Sequence, residues 1–384
     1  MYLQKALYGL KNSAKAWFDT FSTYLKSLGY KQSHYDECLW EYKDKKTGKK
    51  LYIIVFVDDV LAVGDDDFIN DFISKISKKY KIRDLGEAET FLGMQIVRDR
   101  KKRTLTINQT KYIENMAKRF DLTEAKPVYT PLEPKINLQK SKNKLELHPD
   151  NELYRSIVGS AMYAAQLCRP DCLFAVCKLS RYLNEPTFIH MTQAKRVLVY
   201  LYTTKHRGIT YGNKIHGMIG HNLMFDTIYG FADADFAADL DGRKSTTGWI
   251  FMYNGGAISW RSHQQNITAL STSEAEYISL SDCAKEARSL LKLNESLETK
   301  NQNKITIYED NRGAEKWTRT LSEPNRTKHI DISYHHIRDW VKLGRLEIVP
   351  VETHLQLADA LTKALPRPQH EFLMSKYCGQ PLAF

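Results

Sequence analysis

One stretch of this sequence limits what the rest can fold into. Between Pro127 and Pro149 lie four prolines, several lysines and few large apolar residues. Proline locks φ and has no N–H to donate, so neither a long helix nor a central strand runs through such a stretch. The composition predicts a linker with separately folded parts on either side. A length of 384 residues agrees, because about 100–200 residues per domain implies two or three domains. With 42% hydrophobic and 26% charged residues the chain has the balance of a folded protein, which excludes collagenous, mucin-like and wholly disordered classes.

Upstream of the linker, Leu3 to Leu28 carries Leu7, Leu10, Ala14, Trp17, Phe18, Phe21 and Leu25 at helical spacing, and Gly29 can end that helix. In LYIIVFVDDVLAVG, two β-branched and aromatic runs flank Asp58 and Asp59. That pattern predicts a tight hairpin with two carboxylates at its turn. Asp66–Tyr80 predicts a helix with Phe68, Phe72, Ile73 and Ile76 on one face. Phe91–Val97 and Leu105–Ile107, around the basic turn Asp99–Arg103, predict a second hairpin, and Gln109–Phe120 another helix.

Downstream, Tyr154–Leu183 and Phe188–Tyr202 are apolar helical stretches broken at Pro170 and Pro186, and residues 208–222 are loop-rich. From Ile228 the pattern changes. Strands are predicted at Ile228–Ala232, Gly248–Tyr253, Ala257–Arg261, Ile305–Tyr308 and Leu346–Val349. Helices are predicted at Ser273–Leu297, Asn311–Leu321, Ile332–Leu343 and Leu357–Lys363. Three strands, then helix, strand, helix and strand, is a mixed α/β order. In such a sheet, strand ends and helix termini meet at one edge, so distant residues can share a site. Asp233, Glu276, Asp310 and Asp359 all stand where that edge could use them. Crowded carboxylates repel unless a cation sits between them, and Mg²⁺ prefers such oxygen ligands. Taken singly, each acid is more commonly a solvated charge or a helix cap.

Lys and Arg number 56 against 45 Asp and Glu, a formal charge of +11. The excess is spread along the chain: 28 basic against 21 acidic residues in 1–150, and 28 against 24 in the remainder. A basic surface attracts polyanions, of which nucleic acid is the usual one. No apolar run approaches the ~20 residues that cross a bilayer, so no membrane partner is expected. MYLQKALYGL lacks the apolar core of a secretory leader, so export is not expected either. The six cysteines do not make a disulfide scaffold.

The stretch FADADFAADLDGRKSTTGWIFMYNGGAISWRSHQQNITALSTSEAEYISL closely resembles the start of the ribonuclease H domain of copia-type LTR retrotransposon Pol polyproteins. IYEDNRGA, TKHIDISYHHIRDWV and LEIVPVETHLQLADALTKAL continue that resemblance in order. KALYGLKNSAKAWF is similar to a reverse transcriptase palm helix, and FVDD to its catalytic hairpin with Phe56 in place of the usual Tyr. LGMQIVRDRKKRTLTINQTKYIENMAKRF resembles the start of the thumb, and LYRSIVGSAMYAAQLCRPDCLFAVCKLSRYL the connection region. The resemblance implies an α/β chain with a truncated α+β palm and thumb in 1–130 and a linker and helical connection region in 131–225. A ribonuclease H-like mixed sheet flanked by helices follows in 226–365, and a C-terminal tail in 366–384. It implies that Asp233, Glu276, Asp310 and Asp359 hold two Mg²⁺ (or Mn²⁺) ions and cut RNA paired to DNA, and that Asp58 and Asp59 are metal-binding palm acids. Glu276 is preferred to Glu274 because related domains place the acid directly before a large apolar residue, here Tyr277. RNA–DNA hybrid and other Pol regions are the implied partners. The implied setting, if the chain is expressed, is the cytoplasm, within a virus-like particle.

Polymerases of this type need a third palm aspartate on a strand ahead of the YGLK helix, and this sequence has no room for that strand before residue 5. Polymerase activity is therefore expected to be lost. Two alternatives stay open: a non-catalytic nucleic-acid-binding remnant, and one piece of a complete RNA-directed DNA polymerase polyprotein. Among smaller features, Lys101, Lys102 and Arg103 form a basic hairpin tip suited to phosphate contact or to a solvated turn. Arg243 and Lys244 are placed to hold a hybrid. Trp260 and Arg261 have the chemistry to stack on bases, although such a Trp is more often core. Cys168, Cys172 and Cys177 match no common zinc spacing and read as buried thiols. His329, His335 and His336 read as packing or surface residues, and His354, upstream of Asp359, as a candidate mobile histidine outside the catalytic set.

Overall fold

The computed structural model describes residues 6–7, 9–212, 226–298, 302–319 and 331–378. Contacts divide the chain into two compact units, Met1–Phe91 with Lys292–Thr299, and Leu92–Leu291 with Lys300–Phe384. The division falls at residue 91, ahead of the proline-bearing stretch 127–149. No described helix is long and apolar enough to cross a membrane.

The first unit contains helix α1 (Ser13–Ser27), strands β1 (Lys31–Gln32), β2 (Leu39–Lys43), β3 (Lys50–Phe56) and β4 (Asp59–Gly64), and helix α2 (Asp66–Ser77). The four strands form an antiparallel sheet in chain order. Strand β3 alternates, burying Leu51, Ile53 and Val55 against Phe21, Leu25, Phe72 and Ile76 of the helices. Helix α1 starts at Ser13, later than the periodicity from Leu3 implies, because Gly9 takes a positive φ of 92° that no helix continues through. Phe56 pairs with Asp59, which leaves Val57 and Asp58 as a two-residue turn. The Trp17 indole donates to the Val57 carbonyl at 2.7 Å and holds that turn against α1.

Strand β5 (Thr90–Phe91) ends at the division, and the second unit begins with β6 (Met94–Asp99), β7 (Thr104–Asn108) and helix α3 (Thr110–Arg119). Helices α4 (Asn151–Leu167), α5 (Leu173–Ser180) and α6 (Phe188–Thr203) follow, then β8 (Gly208–Tyr211), which pairs with β7 where a loop is expected. The proline-rich stretch is not a free linker. Leu132 and Leu138 are buried in the helical core, and the Leu138 carbonyl accepts from the Tyr182 hydroxyl at 2.7 Å. Two apolar anchors in an otherwise polar segment are enough to fasten it.

Strands β9 (Tyr229–Asp235), β10 (Thr246–Tyr253), β11 (Gly256–Gln264), β12 (Ile305–Glu309) and β13 (Leu346–Pro350) form one sheet of order β11–β10–β9–β12–β13. The first three are antiparallel, while β9, β12 and β13 run parallel. Helices α7 (Thr272–Ser296), α8 (Arg312–Arg319), α9 (Asp331–Lys342) and α10 (Arg367–Tyr377) complete the described elements. The central strands are buried on both faces: Tyr229, Phe231, Ile250 and Met252 join the core containing α4–α6 and α10, and Ala232, Trp249 and Phe251 join Tyr277, Leu280 and Ala284 of α7. This mixed sheet between helical layers is the α/β fold that the ribonuclease H resemblance implies.

The expected C-terminal tail is instead partly core. Leu373, Met374 and Tyr377 of α10 are buried, and His370 Nε2 lies 2.9 Å from the Tyr200 hydroxyl. Tyr200 also hydrogen-bonds Asp171, which pairs with Arg169 at 2.7 Å, and both charged side chains are fully buried. Burial alone would raise Asp171, yet the Arg169 guanidinium and the Tyr200 hydroxyl hold it down to about 2.

Gly248 on β10 lies opposite Asp233, and a Cβ there would meet Thr362 Cγ2 at 2.7 Å and Leu361 Cβ at 2.9 Å. Gly248→Ala should therefore cost about 1–3 kcal/mol by overpacking. A denaturant melt checks this, and an unchanged midpoint would show that the 357–362 turn does not press on β10.

Candidate active site

The sheet register brings the acids together. Tyr308 of β12 pairs with Phe231 of β9, so two residues later Asp310 falls beside Asp233. Asn311 caps α8 through Gly313 N at 2.9 Å and Ala314 N at 3.0 Å, fixing Asp310 between strand end and helix start. The Ser279 hydroxyl donates to the Asp233 carbonyl at 2.7 Å and pins α7 to β9, with Glu276 one turn earlier. Gln356 Nε2 donates to the Ala232 carbonyl at 2.8 Å, and the Thr362 hydroxyl donates to Asp233 Oδ2. These bonds dock the short 3-10 helix Leu357–Leu361, which carries Asp359.

Carboxylate oxygens of Asp233, Glu276 and Asp310 lie within 4.8 Å of one another. Asp233, Glu276 and Asp359 are buried, and Asp310 is half-buried. Asp359 stands outside the triad and is joined to it by Lys363, whose Nζ lies 2.9 Å from Asp359 Oδ1 and 3.3 Å from Asp233 Oδ2. Burial, then Glu309, Asp233 and Asp310, push Glu276 far above the usual carboxylate range. Burial and Asp233 raise Asp310, while the Thr353 hydroxyl opposes the rise. Burial and Asp233 push Asp359 up to about 7, against the pull of Lys363. Burial disfavours the Lys363 ammonium, but Asp233 and Asp359 hold it above its ordinary value.

Glu274 has a different position. It is buried, and its Oε2 accepts from Leu270 N at 2.8 Å, so it braces the start of α7. Asp58 and Asp59 are exposed at the hairpin in the first unit, and among the described residues no third His, Cys, Asp or Glu converges with them. Trp260 donates its indole N–H to the Ala165 carbonyl at 2.9 Å and packs on the core, so it is not free to stack on a base. Arg261 faces Asp282 at 3.6 Å. Lys101, Lys102, Arg103 and Arg243 are exposed. Burial pushes the Cys168 thiol up to about 12 and Cys177 up to about 11. His354 is exposed and faces Glu352 at 3.3 Å, His336 stacks on Trp340, and His329 lies outside the described residues.

Residues 1–134 match the reverse transcriptase (RNA-dependent DNA polymerase) family. The retrovirus-related Pol polyprotein from transposon TNT 1-94 of Nicotiana tabacum is 37% identical over 96% of this chain. A putative transposon Ty5-1 protein of Saccharomyces cerevisiae is 31% identical over 74% of this chain and 88% of its own length. The chain belongs to the copia-type retrotransposon Pol family. It spans 27% of the length of the tobacco polyprotein. Among solved structures, the foamy viral protease–reverse transcriptase in complex with dsDNA is 13% identical, covers 90% of this chain and 60% of its own, and has a TM-score of 0.49.

Two residues of this copia-type centre escape a reading of the sequence. Glu309 ends β12, is fully buried, and has Oε1 bonded to Asn311 N at 3.0 Å and Oε2 without a partner. Its signal was the buried run ITIY directly before it, which a central parallel strand extends. Lys363 was signalled by its spacing, four residues after Asp359. Asp233, Glu276 and Asp310 gather at one sheet edge, Asp359 reaches them only through Lys363, and the unpartnered buried oxygens of Glu276 and Glu309 suit a cation beside them.

The raised Asp359 sets a pH dependence. A carboxyl whose folded pKa lies above its unfolded value favours the fold most below the unfolded range, near 4, and that contribution is lost as pH rises through about 7. Between pH 5 and pH 8 the metal-free protein should therefore lose more melting temperature than its Asp359→Asn variant. Parallel losses in the two would contradict the assignment.

Proposed function

We propose that this chain hydrolyses the RNA strand of RNA–DNA hybrids in a divalent-metal-dependent reaction, as the ribonuclease H part of a retrotransposon reverse transcriptase polyprotein. The observation that carries this is the convergence of Asp233, Glu276 and Asp310 within 4.8 Å, with Asp359 tethered beside them. Magnesium or manganese ions held by these acids, two by analogy with the family, would supply charge stabilisation at the scissile phosphate and a more acidic water. The protein's own groups supply the rest. The buried β9 and α7 hold Asp233 and Glu276 in place, so little reorganisation is needed at the moment of reaction. The net charge of +11 favours backbone-level binding of a hybrid through its shape, with little sequence preference.

Polymerisation receives no such support. Asp58 and Asp59 stand alone as a pair among the described residues, whereas nucleotide addition must hold both a primer end and a triphosphate. We infer that this chain by itself does not extend primers and that other Pol regions would have to supply a third acid.

Glu276→Gln should lower hybrid cleavage roughly 100-fold or more while the melting temperature stays the same or rises, since a buried acid with one unpartnered oxygen is replaced by a neutral amide. A labelled hybrid assayed with Mg²⁺ and with chelator reads this. Full activity of the variant would mean that another acid does the work, and Mg²⁺-independent hybrid binding without cleavage would favour a purely binding role. In a parallel assay, RNA-templated primer extension by the purified chain should be undetectable, and its appearance would overturn the second inference.

A further inference from the structure

The acids of this centre are not equally free. Glu276 Oε2 is buried without a hydrogen-bond partner. Asp359, by contrast, has both oxygens engaged, Oδ1 by Lys363 Nζ at 2.9 Å and Oδ2 by Gln369 Nε2 at 3.2 Å. The same ammonium lies 3.3 Å from Asp233 Oδ2 and 3.5 Å from Asp233 Oδ1. One protein cation therefore bridges Asp233 and Asp359, which is the task a second divalent ion would perform there. The Lys363 side chain is 35% exposed, and its flexible four-carbon stem gives the ammonium a route to solvent.

We propose that Lys363 is a resident counter-ion on the Asp233–Asp359 side of the centre, which a second divalent cation must displace. The inference rests on the reading of these acids as a metal site and adds an order to its filling. The first ion seats among Asp233, Glu276 and Asp310, where an unpartnered oxygen waits. The second competes with an ammonium already paired to two carboxylates, so it binds more weakly than the acids alone would allow. Lys363 touches no substrate in this role and acts through the metal ligands.

Mn²⁺ titration of the purified chain, read by calorimetry and by the resonance of free Mn²⁺, tests the idea. Lys363→Met keeps the stem and removes the charge, and Lys363→Arg keeps the charge. The Met variant should bind the weaker of two ions about tenfold or more tightly than the parent, the tighter ion within about threefold, and the Arg variant should stay near the parent. An unchanged or weakened second ion in the Met variant overturns the inference and leaves the metal site standing. No bound Mn²⁺ in any of the three overturns the metal reading and this inference with it. The parent chain gives an independent answer should the Met variant fail to fold. Acetylation of Lys363, followed by mass spectrometry, should rise when Mg²⁺ is added, and an unchanged yield overturns the displacement.

Discussion

Like-charge repulsion between buried carboxylates is the constraint on which the second unit of this protein depends. At an effective dielectric of about 20, two ionised carboxylates about 4–5 Å apart would repel by roughly 3–4 kcal/mol, and after burial this repulsion is what pushes Glu276 far above the usual carboxylate range. Asp233, Glu276 and Asp310 lie that close, with Glu309 buried behind them. Such a cluster persists only because the surrounding structure over-determines it. Parallel pairing of β12 with β9 fixes two of the acids, the Ser279 hydroxyl fixes the helix that bears the third, and Gln356 and Thr362 fix the turn that bears Asp359. The stabilising side lies elsewhere, in strands buried on both faces between two helical layers.

The helices ahead of the sheet take part in that support. Leu357 and Leu361, on either side of Asp359, pack in the same core as α4–α6 and α10. The buried Arg169–Asp171 pair, with Tyr200 and His370, ties the turn before α5 to α6 and α10. An ion pair removed from water repays its desolvation only when every remaining donor and acceptor is satisfied. Here Arg169 also reaches the Thr204 hydroxyl at 2.6 Å and the Thr204 carbonyl at 3.2 Å. The fourth acid of the centre is thus held in part by residues far ahead of the mixed sheet in sequence.

What could be read from the sequence follows the same physics. The hairpin around Asp58 and the five strands of the mixed sheet were visible because β-branched runs alternate or cluster at strand length. The acids were singled out through the family motif, and the parallel register explains why Asp233 and Asp310 lie side by side. The packed state of residues 127–149 was hidden because Leu132 and Leu138 are single anchors in a segment whose average composition is polar. Helix α10 was missed because the motif ends before it and its buried face includes His370 and Tyr377, which carry little apolar signal. Strands β1 and β8 are two and four residues long, too short for any periodicity to show. Lys363 and Glu309 needed tertiary contacts to acquire meaning, since a lysine four residues after an aspartate is common on any helix surface.

We propose Asp233, Glu276 and Asp310 above all as a seat for a divalent cation. Crystals of the protein grown with Mn²⁺ and measured at the manganese absorption edge address it without any assay of turnover. An anomalous peak bounded by oxygens of those three side chains is the expected result. A map with manganese peaks only at other carboxylates, and none among these three, would contradict it.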